Sequence, residues 1–311
     1  MSIPASLLSL WRALLGSDWL GEGIPLAPYT TFRTGGPAQA LAAPGRMGQL
    51  ITLVLSAHAA GVPVMFLGGG SNVLVPDEGV PGLVVLNRCR AFRVDPHPEH
   101  PRVWAEAGVS LAGLARTLIR QGLDGLTWAV SIPGTVGGAV VGNAGAHGGD
   151  MASVVERVTL LLEDGRITDV PAEDLEYGYR HSRLKAAKVA GRLFPIVLAA
   201  TLRLRWGDAA ALRAQADAHL AYRRRTQPSE PSVGSVFRNP PGDYAGRLID
   251  AAGLKGYRVG DVAVSQVHAN FIINLGQGTT TDALRLIRII KERVREQFGV
   301  DLKEEIVVTI T

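Results

Sequence analysis

The chain has 311 residues, enough for two domains or one large one; 47% hydrophobic residues can fill a core, and 19% charged residues exclude a disordered or tail-rich chain. A net charge of +4 does not argue for a nucleic-acid binder, which gathers basic charge on one face, and the single cysteine, Cys89, excludes an internal disulfide framework and fits a reducing compartment. Residues 1–20 lack the basic region and small-residue cleavage site of a secretory leader, so a cytoplasmic protein without membrane insertion is expected.

Leu7, Leu8, Trp11, Leu14 and Leu15 fall on one helical face and predict a packed amphipathic helix. Residues 47–60 read as a helix ended by Gly61, and residues 64–67 and 83–86 as buried strands. Residues 110–121 read as a helix with Ser110 as N-cap and Gly122 as the C′ glycine. Residues 95–101 form a surface turn whose two histidines have no third partner nearby in sequence, so no metal site is expected. Two apolar runs between 154 and 170 flank Asp164-Gly165, a hairpin signal. Strand 196–204 follows Pro195, and an Ala/Arg-rich helix spans 208–225, with a domain boundary near its start. The remainder reads as helix 244–252, strand 270–274, helix 281–298 stopped by Gly299, and strand 306–310. The long helix carries Leu284, Ile287, Val294 and Phe298 on its apolar side.

Residues 125–149 contain no Asp, Glu, Lys or Arg, but their many glycines, with Pro133 and Asn143, make a poor lipid-facing helix. Glycine at this density lets the backbone approach a ligand and present its N–H groups. A second such loop, Gly68-Gly69-Gly70-Ser71-Asn72, follows the strand-like 64–67. Neither loop carries the GxxxxGK[ST] of a P-loop or the dinucleotide fingerprint G-x-G-x-x-G, so a kinase, GTPase or Rossmann protein is not indicated. Two glycine loops far apart in sequence point to one phosphate-bearing cofactor held from two sides.

The remaining polar motifs are modest one by one. Arg180, in Tyr177-Gly178-Tyr179-Arg180-His181-Ser182, offers a planar fork for a carboxylate but alone reads as a surface arginine. Ser235 lies in a Pro-bounded loop without a G-x-S-x-G elbow and alone reads as a turn serine. Glu304 and Glu305 enter a final strand, where glutamates are usually solvated. Arg225 ends a helix, where either the dipole or a diphosphate accounts for a cation.

Taken together, the segments resemble the UDP-N-acetylenolpyruvoylglucosamine reductase family from about Tyr29 to Ile310. Its motifs stand in family order: TFRTGG from Thr31, LGGGSNVLV from Leu67, IPGTVGGA from Ile132, NAGA from Asn143, YGYRHS from Tyr177, GSVFRNP from Gly234, AAGLKG from Ala251 and VSQVHANF from Val264. The resemblance implies an α+β protein. An FAD-binding, vanillyl-alcohol-oxidase/PCMH-type pair of subdomains is expected at 21–86 and 87–206, and a C-terminal UDP-sugar-binding α+β domain at 207–311. Residues 1–20 form a helical extension outside the match.

The resemblance further implies non-covalent FAD, NADPH as reductant and a UDP-sugar substrate; the sequence does not give the oligomeric state, and a monomer is favoured. It assigns Arg180, Ser235 and Glu305 as catalytic. Arg180 holds the substrate carboxylate, a protonated Glu305 hydrogen-bonds the developing enolate, and Ser235 delivers the proton. Candidate cofactor contacts are Arg33, Gly68, Gly69, Gly70, Ser71, Asn72, Pro133, Gly134, Thr135, Gly138, Asn143 and Gly145; candidate substrate contacts are Arg225, Asn239 and His268. Where the family commonly has Leu-Glu-Pro-Glu, this chain has Leu302-Lys303-Glu304-Glu305, and the short stretch from Arg180 to Gln227 fits the compact branch. Two other readings are a flavin-tethering oxidase of the wider group, with His147 as the candidate tether, and a non-catalytic flavin or nucleotide-sugar binder. Cys89, between Arg88 and Arg90, reads as structural.

Overall fold

The computed structural model describes residues 3–16 and 19–308. They form two compact units: one of Met1–Gly21, Leu41–Gly68 and Gly82–Tyr222, the other of Glu22–Ala40, Gly69–Pro81 and Arg223–Thr311.

The first unit is built on a five-stranded antiparallel sheet in the order Ile167–Pro171, Val155–Leu161, Ile196–Arg203, Arg102–Glu106, Phe92–Asp95. The first two strands are the expected hairpin, and Gly165 takes φ +83 at its turn. Strand Ile196–Arg203 is buried along most of its length: neighbouring strands cover its edges, and the helix Val136–Gly142 packs against it. Helix Leu111–Arg120 adds Leu111, Leu114, Leu118 and Ile119 to the core; the Ser110 hydroxyl accepts from the N–H of Gly113 at 3.2 Å, and Gly122 follows at φ +71. Strands Val64–Leu67 and Val80–Leu86 pair in parallel from Val64–Leu83 to Leu67–Leu86. The N-terminal helix Ala5–Leu15 buries Leu7, Trp11 and Leu15, and the Trp11 indole donates to the Ser56 hydroxyl at 2.9 Å.

The uncharged run resolves into a short 3-10 turn at Thr127–Ala129, the helix Val136–Gly142 and a two-stranded ribbon of Gly145–Ala146 with Gly149–Asp150. Among the described residues no helix is long and apolar enough to cross a membrane.

The second unit carries an antiparallel sheet in the order Ser232–Ser235, Phe271–Asn274, Val262–Val264, Arg258–Val259. Helices Ala245–Ala251 and Thr280–Phe298 share a core with it. The buried stripe of the long helix is Ala283, Leu286, Ile287, Ile290 and Val294, whereas Phe298, expected on that stripe, is 37% exposed in the last turn. The helix start is fixed by Thr279, whose hydroxyl accepts from Asp282, and by the Asp77 carboxylate, which accepts from the N–H groups of Thr280 and Thr281 at 2.8 Å. Of the final strand expected at 306–310, Val307–Val308 pairs in parallel with Val73–Leu74, and the positions beyond lie outside the described residues.

The units divide differently from the expected segments. Helix Ala209–Thr226 starts just after the boundary expected near 207, and the division falls within it, between Tyr222 and Arg223. Phe32 and Leu74, from the stretches expected to belong to an N-terminal subdomain, are wholly buried in the second unit's core.

Candidate active site

In the first unit, the sequence between Gly142 and His181 builds one hydrogen-bonded knot. Helix Val136–Gly142 ends at Asn143, which takes the left-handed conformation at φ 45, ψ 60. Asn143 is 3% exposed, and its side chain is fully used. Its Nδ2 donates to the carbonyl of Gly178 at 2.9 Å and reaches Oδ2 of Asp150 at 3.5 Å, while its Oδ1 accepts from the N–H of Ala152 at 2.9 Å. The amide donors of Asn143 are therefore already engaged within the chain.

Residues 178–181 form a tight turn. The N–H of His181 donates to the carbonyl of Gly178 at 3.0 Å, and the N–H of Gly178 donates back at 3.1 Å. Arg180 sits third in the turn at φ +53, the left-handed position a type II turn demands. Its guanidinium donates from Nη2 to the carbonyl of Gly145 at 2.8 Å and from Nη1 to that of Asn143 at 3.4 Å. Gly145 has no room for a side chain, because a Cβ there would lie 2.7 Å from the carbonyl of Gly149. Ser182 begins the next helix: its Oγ accepts from Lys185 N–H at 3.1 Å and donates to the carbonyl of Val141 at 2.6 Å.

The helix at 136 offers fewer donors than the sequence implies. The N–H groups of Val136 and Gly137 donate to the carbonyls of Val109 and Ala107 at 2.9 Å, and that of Gly138 turns to the Thr135 hydroxyl at 3.4 Å. The carbonyl of Gly134, at φ +120, accepts from Leu111 at 3.1 Å. Gly68 closes on this loop, since a Cβ there would stand 2.8 Å from Thr135 Oγ1.

In the second unit the other glycine loop meets the C-terminal residues. Gly70 is buried at φ +62, where a Cβ would strike the carbonyl of Tyr29. Among the described residues no oxygen accepts from the backbone N–H of Gly69 or Gly70. Gly69 is exposed and Gly70 buried, and backbone donors left open in a glycine loop fit an anionic ligand such as the pyrophosphate of FAD. Asn72 reaches the carbonyl of Glu305 through Nδ2 at 3.4 Å and accepts from Val307 N–H at 2.9 Å.

Ser235 ends its strand beside Gly234, which takes φ +78. The N–H of Glu305 donates to the carbonyl of Val236 at 2.8 Å, which fixes Glu305 one residue from Ser235 across the backbone. Asn270 locks the same corner: its Oδ1 accepts from Phe237 N–H at 3.0 Å, and its Nδ2 donates to the Phe237 carbonyl at 2.8 Å. Glu304, by contrast, pairs with Lys291 at 2.8 Å. Sequence reasoning passed over Asn270, whose only signal is an amide residue entering an apolar strand.

The other expected residues are more open. Arg33 is exposed at φ +61, as are Arg225 and Asn239, and Asn239 Oδ1 accepts from Ala245 N–H at 3.1 Å. His268 is half-buried; burial, followed by the charge of Lys255, holds its pKa below the usual imidazole value. Burial lowers the pKa of Arg223 in the same way. The Cys89 thiol is pushed up to about 12, by burial and then by the Glu106 charge, which makes it inert as the sequence implied.

A cavity of about 610 Å³ in the first unit borders His147 and Trp128. Its arginines are matched within the chain: Arg102 binds Glu156 at 2.6 Å, Arg205 binds Asp124 at 3.1 Å, and Arg203 donates to the carbonyl of Val155 at 3.2 Å. His147 stacks on His219 at 4.0 Å between ring centroids.

Residues 38–171 match the FAD binding domain family, and residues 227–309 match the UDP-N-acetylenolpyruvoylglucosamine reductase C-terminal domain family. A solved alkyldihydroxyacetonephosphate synthase, at 17% identity and a TM-score of 0.50 over 66% of this chain and 41% of that one, shares the fold. The protein is thus of the FAD-domain α+β class with a reductase-type C-terminal domain. The solved UDP-N-acetylenolpyruvylglucosamine reductase (MurB) from Thermus caldophilus is similar at 37% identity and a TM-score of 0.76, covering 92% of this chain and 97% of that one. UDP-N-acetylenolpyruvoylglucosamine reductases of Chloroflexus aggregans and Myxococcus xanthus are 45% and 44% identical, over 91% and 94% of this chain and 95% and 93% of theirs. The chain belongs to the UDP-N-acetylenolpyruvoylglucosamine reductase family.

Proposed function

We propose that this protein is a cytoplasmic, monomeric flavoenzyme. It uses NADPH to reduce the enolpyruvyl ether of UDP-N-acetylglucosamine enolpyruvate, giving UDP-N-acetylmuramate for peptidoglycan synthesis. The observation that carries this reading is the corner at Val236, where Ser235 and Glu305 are fixed side by side and the glycine loop arrives through Asn72.

FAD, held without a covalent bond, supplies the two-electron carrier between NADPH and the sugar. Hydride addition to the methylene carbon leaves negative charge on the neighbouring carbon, conjugated with the carboxylate. Stabilising that charge as it develops is the main catalytic task. Arg180 places a fixed cation against the carboxylate. Glu305, in its protonated form, hydrogen-bonds the same enolate. Ser235 gives its proton to the carbanion carbon, completing the saturated ether. Gly69 and Gly70 would hold the FAD pyrophosphate through their backbone N–H groups. Arg225, Asn239 and His268 serve the UDP-sugar.

Acid precipitation of the purified protein is expected to release yellow flavin to the supernatant; flavin pelleting with the protein supports the His147-tethered oxidase instead. Anaerobic NADPH oxidation beyond the single reduction of the flavin should require the enolpyruvyl sugar. Flavin binding without such turnover leaves the non-catalytic reading.

A further inference from the structure

We infer that Asn143 is a positioning residue for Arg180, so that its amide, through the 178–181 turn, sets where the guanidinium stands for the substrate carboxylate. This rests on the catalytic reading of Arg180 given above. The bonds form a closed cycle. Asn143 Nδ2 holds the Gly178 carbonyl at 2.9 Å, and Arg180 reaches back to the carbonyls of Asn143 and Gly145 at 3.4 and 2.8 Å. The loop thereby fixes the turn, and the turn's arginine fixes on the loop.

Two demands meet at position 143. The backbone is left-handed, which among ordinary residues favours Gly, Asn and Asp. The side chain must also donate to Gly178 while accepting from Ala152 N–H at 2.9 Å. Glycine meets only the first demand. Aspartate meets the first and the acceptor half of the second, but it sets a carboxylate against the Gly178 carbonyl and the Asp150 carboxylate. Asparagine alone meets both. Asp150 steadies the arrangement from the far side, since its Oδ1 accepts from Ser153 N–H at 3.0 Å.

Arg180 is also constrained by what surrounds it. Tyr179, beside it in the turn, is 58% exposed, and the Arg180 guanidinium lies 5.6 Å from its ring centroid. Among the described residues no strand pairs with this turn; its own backbone bonds are the reciprocal pair between Gly178 and His181, and the Ser182 hydroxyl ties its far end to the Val141 carbonyl at 2.6 Å. At the Gly178 end its orientation is set by the Asn143 amide.

The test compares N143G and N143D with the unaltered holoenzyme. First, amide hydrogen exchange across 177–182, without substrate, should be faster in N143G; unchanged exchange overturns the clamp. Second, anaerobic stopped-flow on flavin-loaded protein should show reoxidation by the enolpyruvyl UDP-sugar slowed roughly 10- to 100-fold more than flavin reduction by NADPH. N143D should recover part of that loss as pH falls and the introduced carboxyl becomes a donor, whereas N143G should not. Third, N143G added to R180A should cost nothing further, because it acts through the arginine. A full additional loss in R180A, or reoxidation by N143G at the unaltered rate, overturns the inference. Failure of the unaltered protein to be reoxidised by the sugar refutes the catalytic reading instead, and the exchange arm still decides the clamp.

Discussion

In the first unit, the side chain proposed to hold the substrate carboxylate hangs on irregular backbone. Arg180 and Asn143 are both left-handed, and amide and carbonyl contacts between two loops fix them. In the second unit, Ser235 ends a ladder strand, Glu305 is tied to it through the Val236 carbonyl, and a buried Asn270 clips that corner by both its amide atoms. A loop-held cation depends on a few side-chain bonds, whereas a ladder-held pair inherits the rigidity of a sheet. Substitutions in the first unit should therefore act on geometry with little loss of stability. Those that break the second unit's corner should act on stability as well.

The contrast is most sharply tested by S235A. Flavin reduction by NADPH should be retained, while reoxidation by the enolpyruvyl sugar slows about 10²- to 10⁴-fold. Equal slowing of both half-reactions would remove Ser235 from proton delivery. R180K keeps the charge but loses the fork, and reoxidation should fall about a hundredfold at an unchanged melting temperature. A comparable drop in melting temperature would mean that the turn is structural. N270A leaves the Phe237 N–H and carbonyl without their partner in a buried corner, and denaturant unfolding should show a loss of about 2–4 kcal/mol. A loss below about 0.5 kcal/mol, the range of an ordinary surface change, would deny that Asn270 clips the ladder.

A smaller effect concerns pH. The folded-state pKa of His268 lies below its ordinary value of about 6.5, so the unfolded chain takes up that proton first. Its contribution to stability is present above the ordinary value and is lost as pH falls from there through the folded value. H268Q should flatten that acid-side slope in urea unfolding; an unaltered slope would show that another group sets it. Smallest of all, the Cys89 thiol should resist alkylation at pH 8 until the protein unfolds.

Helices and strands marked by strong periodicity and caps were legible, such as Leu111–Arg120 between Ser110 and Gly122 and the hairpin around Gly165. The motifs gave Arg180, Ser235 and Glu305 only through their order along the chain, since each is ordinary alone. Periodicity does not report how separate stretches share a core, so the grouping of Phe32 and Leu74 with the C-terminal helices was hidden. Nor did the glycine density at 136–138 reveal that the carbonyls of Val109 and Ala107 and the Thr135 hydroxyl already accept those N–H groups. Asn143 was visible as a polar residue in an apolar run, but its bond to Gly178 depends on a contact between distant stretches that no local pattern encodes.

The most direct measurement is anaerobic mixing of the NADPH-reduced holoenzyme with UDP-N-acetylglucosamine enolpyruvate. The oxidised flavin spectrum should return at once, with UDP-N-acetylmuramate formed in proportion to flavin. A flavin that stays reduced as long as in a sugar-free control, with the enol ether recovered intact, would contradict the proposed reduction.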